Sequence, residues 1–186
     1  GYALAGEAVP QELEETEGEL HFDFELPGST HNFRTSDPFF LTLKHSTAQA
    51  AQGTGSLEIL VDRMVRGNRA RVYYKPFYTR ADFSDERYKP VFSPQVYSGQ
   101  TMEMQLYFDQ WAGWDSIFVS PYFRTASDQK IHTHGFIKIK PGQWQTISCT
   151  IEDTQGDMID EIGIVVEGDT PTTVKTLGKL YLDEFR

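Results

Sequence analysis

The sequence contains a single cysteine, Cys149, so an intramolecular disulfide cannot form. Cys149 shares its alternating phase with Ile147 and Ile151, which predicts a buried small hydrophobe rather than a nucleophile. A lone thiol fits a reducing compartment, and it also fits a bacterial secreted protein that uses no disulfides. The cysteine count therefore leaves the compartment open.

Positive charge is scarce as well, because 17 Lys and Arg residues stand against 27 Asp and Glu residues, a formal net charge of −10 at pH 7. Phosphate backbones are bound by clustered Lys and Arg, so this balance argues against a nucleic-acid partner. No apolar run is long enough for a membrane span or a signal peptide, and no membrane partner is expected. Neutral sugars and bound cations stay compatible with the composition.

Catalytic signatures are also missing. The sequence has no Gly-rich phosphate loop, no Gly-x-Ser-x-Gly elbow and no His-Glu-x-x-His helix. His132 and His134 have strand spacing, but no third metal ligand is identifiable, so we interpret them as turn or surface histidines. Asp157, Asp160 and Glu161 lie beside a turn and are interpreted as solvated, although a glycosidase carboxylate pair stays formally open.

What the sequence has in abundance is two-residue periodicity, together with 13% aromatic residues. Strands are predicted over residues 20–26, 39–44, 57–61, 69–77, 101–108, 117–125, 135–140, 144–151, 159–166 and 179–185. Turn residues separate them, and no long amphipathic helix intervenes. The pattern predicts an all-β fold, a jelly-roll β-sandwich of about ten antiparallel strands in one domain over residues 19–186. An acidic lead-in over residues 1–18 precedes it, and residues 78–100 form a long connection.

Three predicted strands carry aromatic and hydrogen-bonding side chains on the phase that should face solvent. If these strands share one sheet, their side chains form one open face. The candidate sugar-binding residues there are Tyr73, Tyr107, Tyr122, Arg71, Gln105 and Arg124. A sugar packs its C–H face on an aromatic ring, while its hydroxyls need planar donors and acceptors. The alternative is cross-strand aromatic pairing that only stiffens the sheet.

Two tryptophans, Trp111 and Trp114, lie three residues apart in the predicted loop between two strands. Exposing tryptophan in a polar loop needs a reason, so the pair either caps the sandwich or forms a stacking platform for a sugar. Trp144 follows Pro-Gly-Gln at a strand start, which favours core or edge packing.

Five short motifs, taken in order, resemble the β-jelly-roll carbohydrate-binding modules of the galactose-binding-domain-like type. They are Phe22-Asp-Phe-Glu25, Gly53-Thr-Gly-Ser-Leu57, Gly142-Gln-Trp-Gln-Thr146, Ile159-Asp-Glu-Ile-Gly-Ile164 and Leu180-Tyr-Leu-Asp-Glu-Phe185. The resemblance implies a non-catalytic module of a larger, glycan-active bacterial enzyme, with an oligo- or polysaccharide and an adjacent catalytic domain as partners. We therefore expect the protein to be secreted, periplasmic or attached to the cell surface.

The same resemblance implies a structural Ca²⁺ between the terminal strands and the loop before the Gly-Ser-Leu strand. Its matching acidic positions are Glu25 and Asp183, with backbone oxygens near Gly53 completing the site. It also implies a sugar site on the concave sheet or in its rim loops.

A second resemblance, carried by the stretches from Val72 to Tyr78, from Asp85 to Tyr88 and from Val91 to Pro94, is to accessory regions of bacterial ADP-ribosylglycohydrolase-like proteins. It implies a different neighbouring enzyme and leaves this chain non-catalytic. Two alternatives stay open: a structural or interaction sandwich that supports a neighbouring enzyme domain, and a small β-sandwich glycosidase or lyase.

Overall fold

The computed structural model describes residues 20–76, 96–113, 116–171 and 175–186. These residues contain eleven strands and no helix. The strands are β1 (Arg34–Thr35), β2 (Leu41–Ser46), β3 (Ser56–Asp62), β4 (Arg69–Tyr74), β5 (Thr101–Gln110), β6 (Ile117–Thr125), β7 (Ile131–Thr133), β8 (Ile137–Lys138), β9 (Gln145–Thr150), β10 (Ile159–Gly168) and β11 (Thr176–Asp183). The predicted acidic lead-in, most of the predicted 78–100 connection and Trp114 lie outside the described residues.

The strands form two antiparallel sheets. The first sheet has the order β1-β4-β10-β6-β7, with β8 also paired to β6, and the second has the order β2-β3-β11-β5-β9. Apart from the β2-β3 pair and the pairing of β6 with β7 and β8, neighbouring strands come from distant parts of the chain, as in a jelly roll. The all-β sandwich predicted from the sequence is confirmed.

The core lies between the sheets because alternate residues of each strand point inward. In the first sheet Val72, Phe123 and Ile164 are buried, and in the second sheet Leu106 and Leu180 face them. Each such side chain contributes about 1.5–3 kcal/mol by leaving water. The opposite phase of each strand must therefore point away from the core, and this phase holds the candidate site.

The predicted strand over residues 20–26 is wrong. Only Phe22 pairs there, through an isolated bridge to Phe185. Phe24 has a φ of 54°, which breaks an extended strand, and Leu26 is 60% exposed. The short strands β1 and β7 were not predicted, because two or three residues carry too little periodicity to identify.

The condition that the three polar strands share one sheet is not met. β4 and β6 flank β10 in the first sheet, whereas β5 lies in the second sheet between β11 and β9. Among the described residues, none belongs to a helix that is long and apolar enough to cross a membrane.

Candidate functional site

The outward side of the first sheet, here called the β10 face, collects side chains from three strands. Antiparallel registers place Gly163 of β10 between Tyr73 of β4 and Tyr122 of β6. A Cβ at position 163 would lie 2.0 Å from the carbonyl oxygen of Val72. Only glycine fits this close approach of two backbones, so the centre of the face has no side chain of its own.

Glu161 is the centre of a buried charge cluster at one end of the β10 face. Arg71 binds its Oε1, and Arg124 Nη1 lies 2.8 Å from its Oε2. The hydroxyl of Tyr122 donates a 2.6 Å hydrogen bond to Oε1. Strands β4 and β6 thus each deliver a guanidinium to one carboxylate on β10, and both carboxylate oxygens have partners.

The cluster also shifts the pKa values of Tyr122 and Arg71. Burial, followed by the negative charge of Glu161, raises the pKa of Tyr122 well above its ordinary value, so the phenol keeps its proton as a hydrogen-bond donor. Burial opposes the charged form of Arg71, but Tyr122 and Glu161 outweigh it and raise the pKa of that guanidinium. The groups are therefore held as donors around a fixed acceptor.

A second buried carboxylate extends the cluster. Arg124 donates to both oxygens of Asp160, from Nε and Nη2, each at 2.9 Å. Lys75 Nζ lies 3.9 Å from Asp160 Oδ2, and Gln129 Nε2 donates to the same oxygen at 3.1 Å. The Asp160 side chain has no exposed surface. The interpretation of Asp160 and Glu161 as solvated groups is therefore wrong, because guanidiniums from other strands enclose them.

The aromatic rings on and beside the β10 face differ in their exposure to solvent. Tyr73 is partly exposed, and the Arg71 guanidinium lies 5.4 Å from its ring centroid. Phe136, between β7 and β8, is partly exposed beneath the Arg69 guanidinium at 4.3 Å. Tyr122, expected to offer an open ring, is fully buried with its hydroxyl bound to Glu161, so it positions Glu161 and offers no ring face for stacking.

Tyr107 and Gln105 lie on the outward side of the second sheet, here called the β11 face. Tyr107 contacts Trp144 at 5.5 Å and Tyr181 at 6.2 Å between ring centroids. Gln105 donates a 2.8 Å hydrogen bond to the Thr146 hydroxyl. Trp144 is partly exposed at the sheet edge, as expected. These side chains contact one another on the β11 face, and they are not part of the β10 face that carries Tyr73.

Trp111 is 56% exposed in the connection between β5 and β6. Its backbone N–H donates to Leu177 at the start of β11. The same end of the sandwich holds Phe118 and Arg69, which flank Glu167 on the β10 face. Trp114 lies outside the described residues, so the expected tryptophan pair stays a prediction.

Glu25 and Asp183, the expected calcium ligands, hold one loop from two sides. Glu25 accepts hydrogen bonds from the amides of Thr54 and Gly55, which lower its pKa. Asp183 Oδ2 accepts bonds from the amides of Ala51 and Gln52 at 2.8 and 3.2 Å. Burial raises the pKa of Asp183 in spite of these amides.

Calcium takes six to eight oxygen ligands, whereas every described contact of these two carboxylates is to an N–H or O–H donor. No group of three or more His, Cys, Asp or Glu residues within the described ranges could hold a metal ion. This arrangement therefore does not fit calcium, and the ion stays a prediction from the resemblance.

His132 and His134 share a face, as their spacing predicts, but that face points inward. The His132 ring stacks on Phe123 at 4.5 Å, and His134 lies 5.5 Å from the same ring. Both imidazoles are 3.9 Å from Oε1 of Glu152. They close the edge of the sandwich beside β7 rather than standing on the surface.

The sequence did not identify Asp160, Glu161 and Phe136 as members of a binding site, because the two acids were interpreted as solvated and Phe136 was not singled out. A signal existed for the two acids, because they interrupt an otherwise apolar run from Ile159 to Val166. Carboxylates inside such a run must be paired if the run is a central strand. Phe136 carries no comparable signal, since it lies in an irregular segment.

No protein-family model matches the chain, and no curated protein matches it. Solved structures do match. The C-terminal family 22 carbohydrate-binding module of Clostridium thermocellum xylanase 10B has a TM-score of 0.58 at 16% identity, over 89% of each chain. A module from the β-sandwich superfamily, described as promiscuous in specificity, gives 0.60 at 16% identity over 88% of this chain and 59% of its own.

A third similar structure is a family 27 carbohydrate-binding module described by its specific mannan recognition. It has a TM-score of 0.52 at 14% identity, over 90% of this chain and 94% of its own. At these identities the likeness shows a shared fold. The chain has the β-sandwich architecture that these carbohydrate-binding modules share.

Proposed function

We propose that this chain is a non-catalytic carbohydrate-binding module of a larger enzyme, and that it binds an oligo- or polysaccharide on the β10 face. The observation that carries the proposal is the Glu161 cluster. Buried ion pairs contribute little net stability, because the desolvation cost of the charges offsets their attraction. A cluster of this kind on the outward side of a sheet indicates a surface kept polar and rigid for a ligand.

The geometry suits a sugar. Tyr73 offers a partly exposed ring that can pack against the C–H face of a pyranose. Arg71 lies beside that ring and is fixed by Glu161, so its guanidinium is oriented before a ligand arrives. Planar donors in fixed positions are what ring hydroxyls require. Because sugar hydroxyls exchange water hydrogen bonds for protein ones, we expect weak binding.

The same contacts favour binding over catalysis. A glycosidase acid or nucleophile has to reach the scissile bond, whereas Glu161 uses both oxygens on Arg71, Arg124 and Tyr122. Attachment to a larger enzyme is supported by analogy. One similar structure, at a TM-score of 0.53 and 12% identity, comprises a family 22 module and a family 10 xylanase module, and the likeness covers 27% of that chain.

The proposed function does not depend on the calcium ion that the resemblance implies. Glu25 and Asp183, the carboxylates expected to bind it, already accept hydrogen bonds from backbone amides of the loop before β3.

The experiment for the sugar site is affinity electrophoresis against neutral and acidic plant, fungal and bacterial polysaccharides. Tyr73→Ala and Tyr107→Ala form a matched pair, because both rings are partly exposed and lie on opposite faces. We expect retardation of the native chain by at least one polysaccharide. Tyr73→Ala should bind about tenfold more weakly, and Tyr107→Ala should bind as the native chain does.

Loss of binding in Tyr107→Ala with retention in Tyr73→Ala would move the site to the β11 face and overturn the proposal. So would the absence of any retardation across the whole panel. In that case the structural sandwich supporting a neighbouring domain becomes the better account.

A further inference from the structure

The β10 face differs in charge from the molecule around it. The whole chain carries a formal net charge of −10. Among the described residues, the strand registers nevertheless place five cationic side chains and two carboxylates on the face. The cations are Arg34, Arg69, Arg71, Arg124 and Lys138, and the carboxylates are Glu161 and Glu167. Lys75 and Asp160 pair with each other at one end of the face, and Asp169 interacts with Lys138 at the other end.

The most exposed charges on the described face are positive. The side chains of Asp160 and Glu161 are 0% and 3% exposed, and that of Glu167 is 23% exposed. Arg71 and Arg124, at 23% and 14%, are held in the ion pairs with Asp160 and Glu161. Arg69 is 54% exposed by contrast, and Arg34 and Lys138 are exposed as well, so a ligand that approaches the face meets these three cations first.

Arg69 shows how an outer cation is presented. Its guanidinium stacks 4.3 Å from the Phe136 centroid, and Nη2 lies 3.7 Å from Glu167 Oε1, beyond hydrogen-bond distance. Stacking on a ring restrains the plane of a guanidinium and leaves its edge open. A guanidinium edge matches the two oxygens of a carboxylate, and such bidentate pairs are among the stronger hydrogen-bonded contacts.

We propose that the polysaccharide bound by the β10 face is acidic, with carboxylates on its sugar rings, and that Arg69 binds one of these carboxylates. This inference rests on the proposed function and narrows it to one class of ligand. A uronate polymer offers a carboxylate to the open edge of the Arg69 guanidinium while its rings pack on Tyr73, whereas a neutral glycan offers that edge only hydroxyls.

The test uses polygalacturonate, glucuronoxylan and alginate, each paired with its carboxyl-reduced form, which keeps the backbone and removes the charge. Binding is measured by affinity electrophoresis and calorimetry at low and high salt. We expect at least one acidic form to bind about tenfold more tightly than its reduced partner, an advantage that salt diminishes.

Arg69→Gln and Arg186→Gln are the matched variants. The two arginines are 54% and 52% exposed, with carboxylate partners at 3.7 and 3.5 Å, but Arg186 belongs to the other sheet through Glu103 of β5. We expect Arg69→Gln to reduce the advantage of the acidic form and Arg186→Gln to keep it. Thermal unfolding confirms that both variants are folded.

The outcomes separate the two proposals. If a reduced or neutral polysaccharide binds as tightly as every acidic one, the acidic-ligand inference is overturned and the sugar-binding function stands. The inference also falls if Arg69→Gln keeps the full advantage. If no polysaccharide of either kind binds, the proposed function itself fails.

Discussion

The hydroxyl of Tyr122 on β6 donates a 2.6 Å hydrogen bond to the carboxylate of Glu161 on β10, and both side chains are buried. Since Glu161 also binds Arg71 on β4, this contact connects three adjacent strands through one acceptor. The stability of the sheet and the shape of the candidate site therefore depend on the same atoms.

Tyr122→Phe removes the hydroxyl and leaves the ring in place. A hydrogen bond to a charged group contributes about 1.5–3 kcal/mol, so we expect a loss of that size in the free energy of unfolding, measured with urea. Tyr107→Phe is the control, because Tyr107 is partly exposed on the β11 face, and its loss should stay within about 0.5 kcal/mol. Equal midpoints for the two variants would contradict the role of the Tyr122–Glu161 bond.

Gly163→Ala tests the close backbone approach at the centre of the β10 face. The added Cβ would lie 2.0 Å from the Val72 carbonyl oxygen, so the strands must shift, at a cost of about 1–3 kcal/mol. Gly113→Ala is the control, because a Cβ there meets nothing within 4 Å. Urea unfolding of both variants checks the difference. A Gly163→Ala protein as stable as Gly113→Ala would show that β4 and β10 are further apart than described.

Trp111→Ala addresses the exposed tryptophan at the end of the sandwich. Since 56% of Trp111 is exposed, we expect the variant to fold normally and to bind the ligand polysaccharide less tightly. Leu26→Ala is the control, because Leu26 is 60% exposed at the opposite end, near the loop held by Glu25. Affinity electrophoresis compares the two. Unfolding of Trp111→Ala, or equal binding by both variants, would contradict a role for Trp111 as a sugar platform.

Chelation tests the loop before β3. In the structure the Glu25 and Asp183 carboxylates hold this loop through the amides of Thr54, Gly55, Ala51 and Gln52. This arrangement predicts the same melting temperature with excess chelator as with added calcium, measured by calorimetry. A lower melting temperature in chelator would instead establish the calcium ion that the resemblance implies, because an ion bound only by the folded chain stabilises it.

Alternation predicted which side chains of β4 and β6 point outward, because a strand has a fixed two-residue period. Arg71, Tyr73 and Arg124 were therefore identified correctly as outward residues. Tyr107 and Gln105 also point outward, but from the other sheet. Alternation gives the side of a strand on which a residue lies, and it does not give the sheet to which the strand belongs. Sheet membership follows from pairing between distant segments, such as β4 with β10.

The burial of Glu161 was missed for a related reason. Its partners Tyr122 and Arg71 are 39 and 90 residues away in sequence. A carboxylate beside a turn is solvated by default, and only the arrival of two guanidiniums from other strands makes its burial tolerable. The residues next to Glu161 in the sequence do not indicate which distant side chains will pair with it.

An NMR titration tests most directly whether the β10 face binds the sugar. The ¹⁵N-labelled chain is titrated with an oligosaccharide cut from the polysaccharide that retards it most. We predict that the amides of Arg71, Tyr73, Gly163 and Tyr122 shift together with one dissociation constant, while those of Gln105 and Tyr107 stay in place. Shifts confined to Gln105, Tyr107 and their neighbours on the β11 face would contradict it.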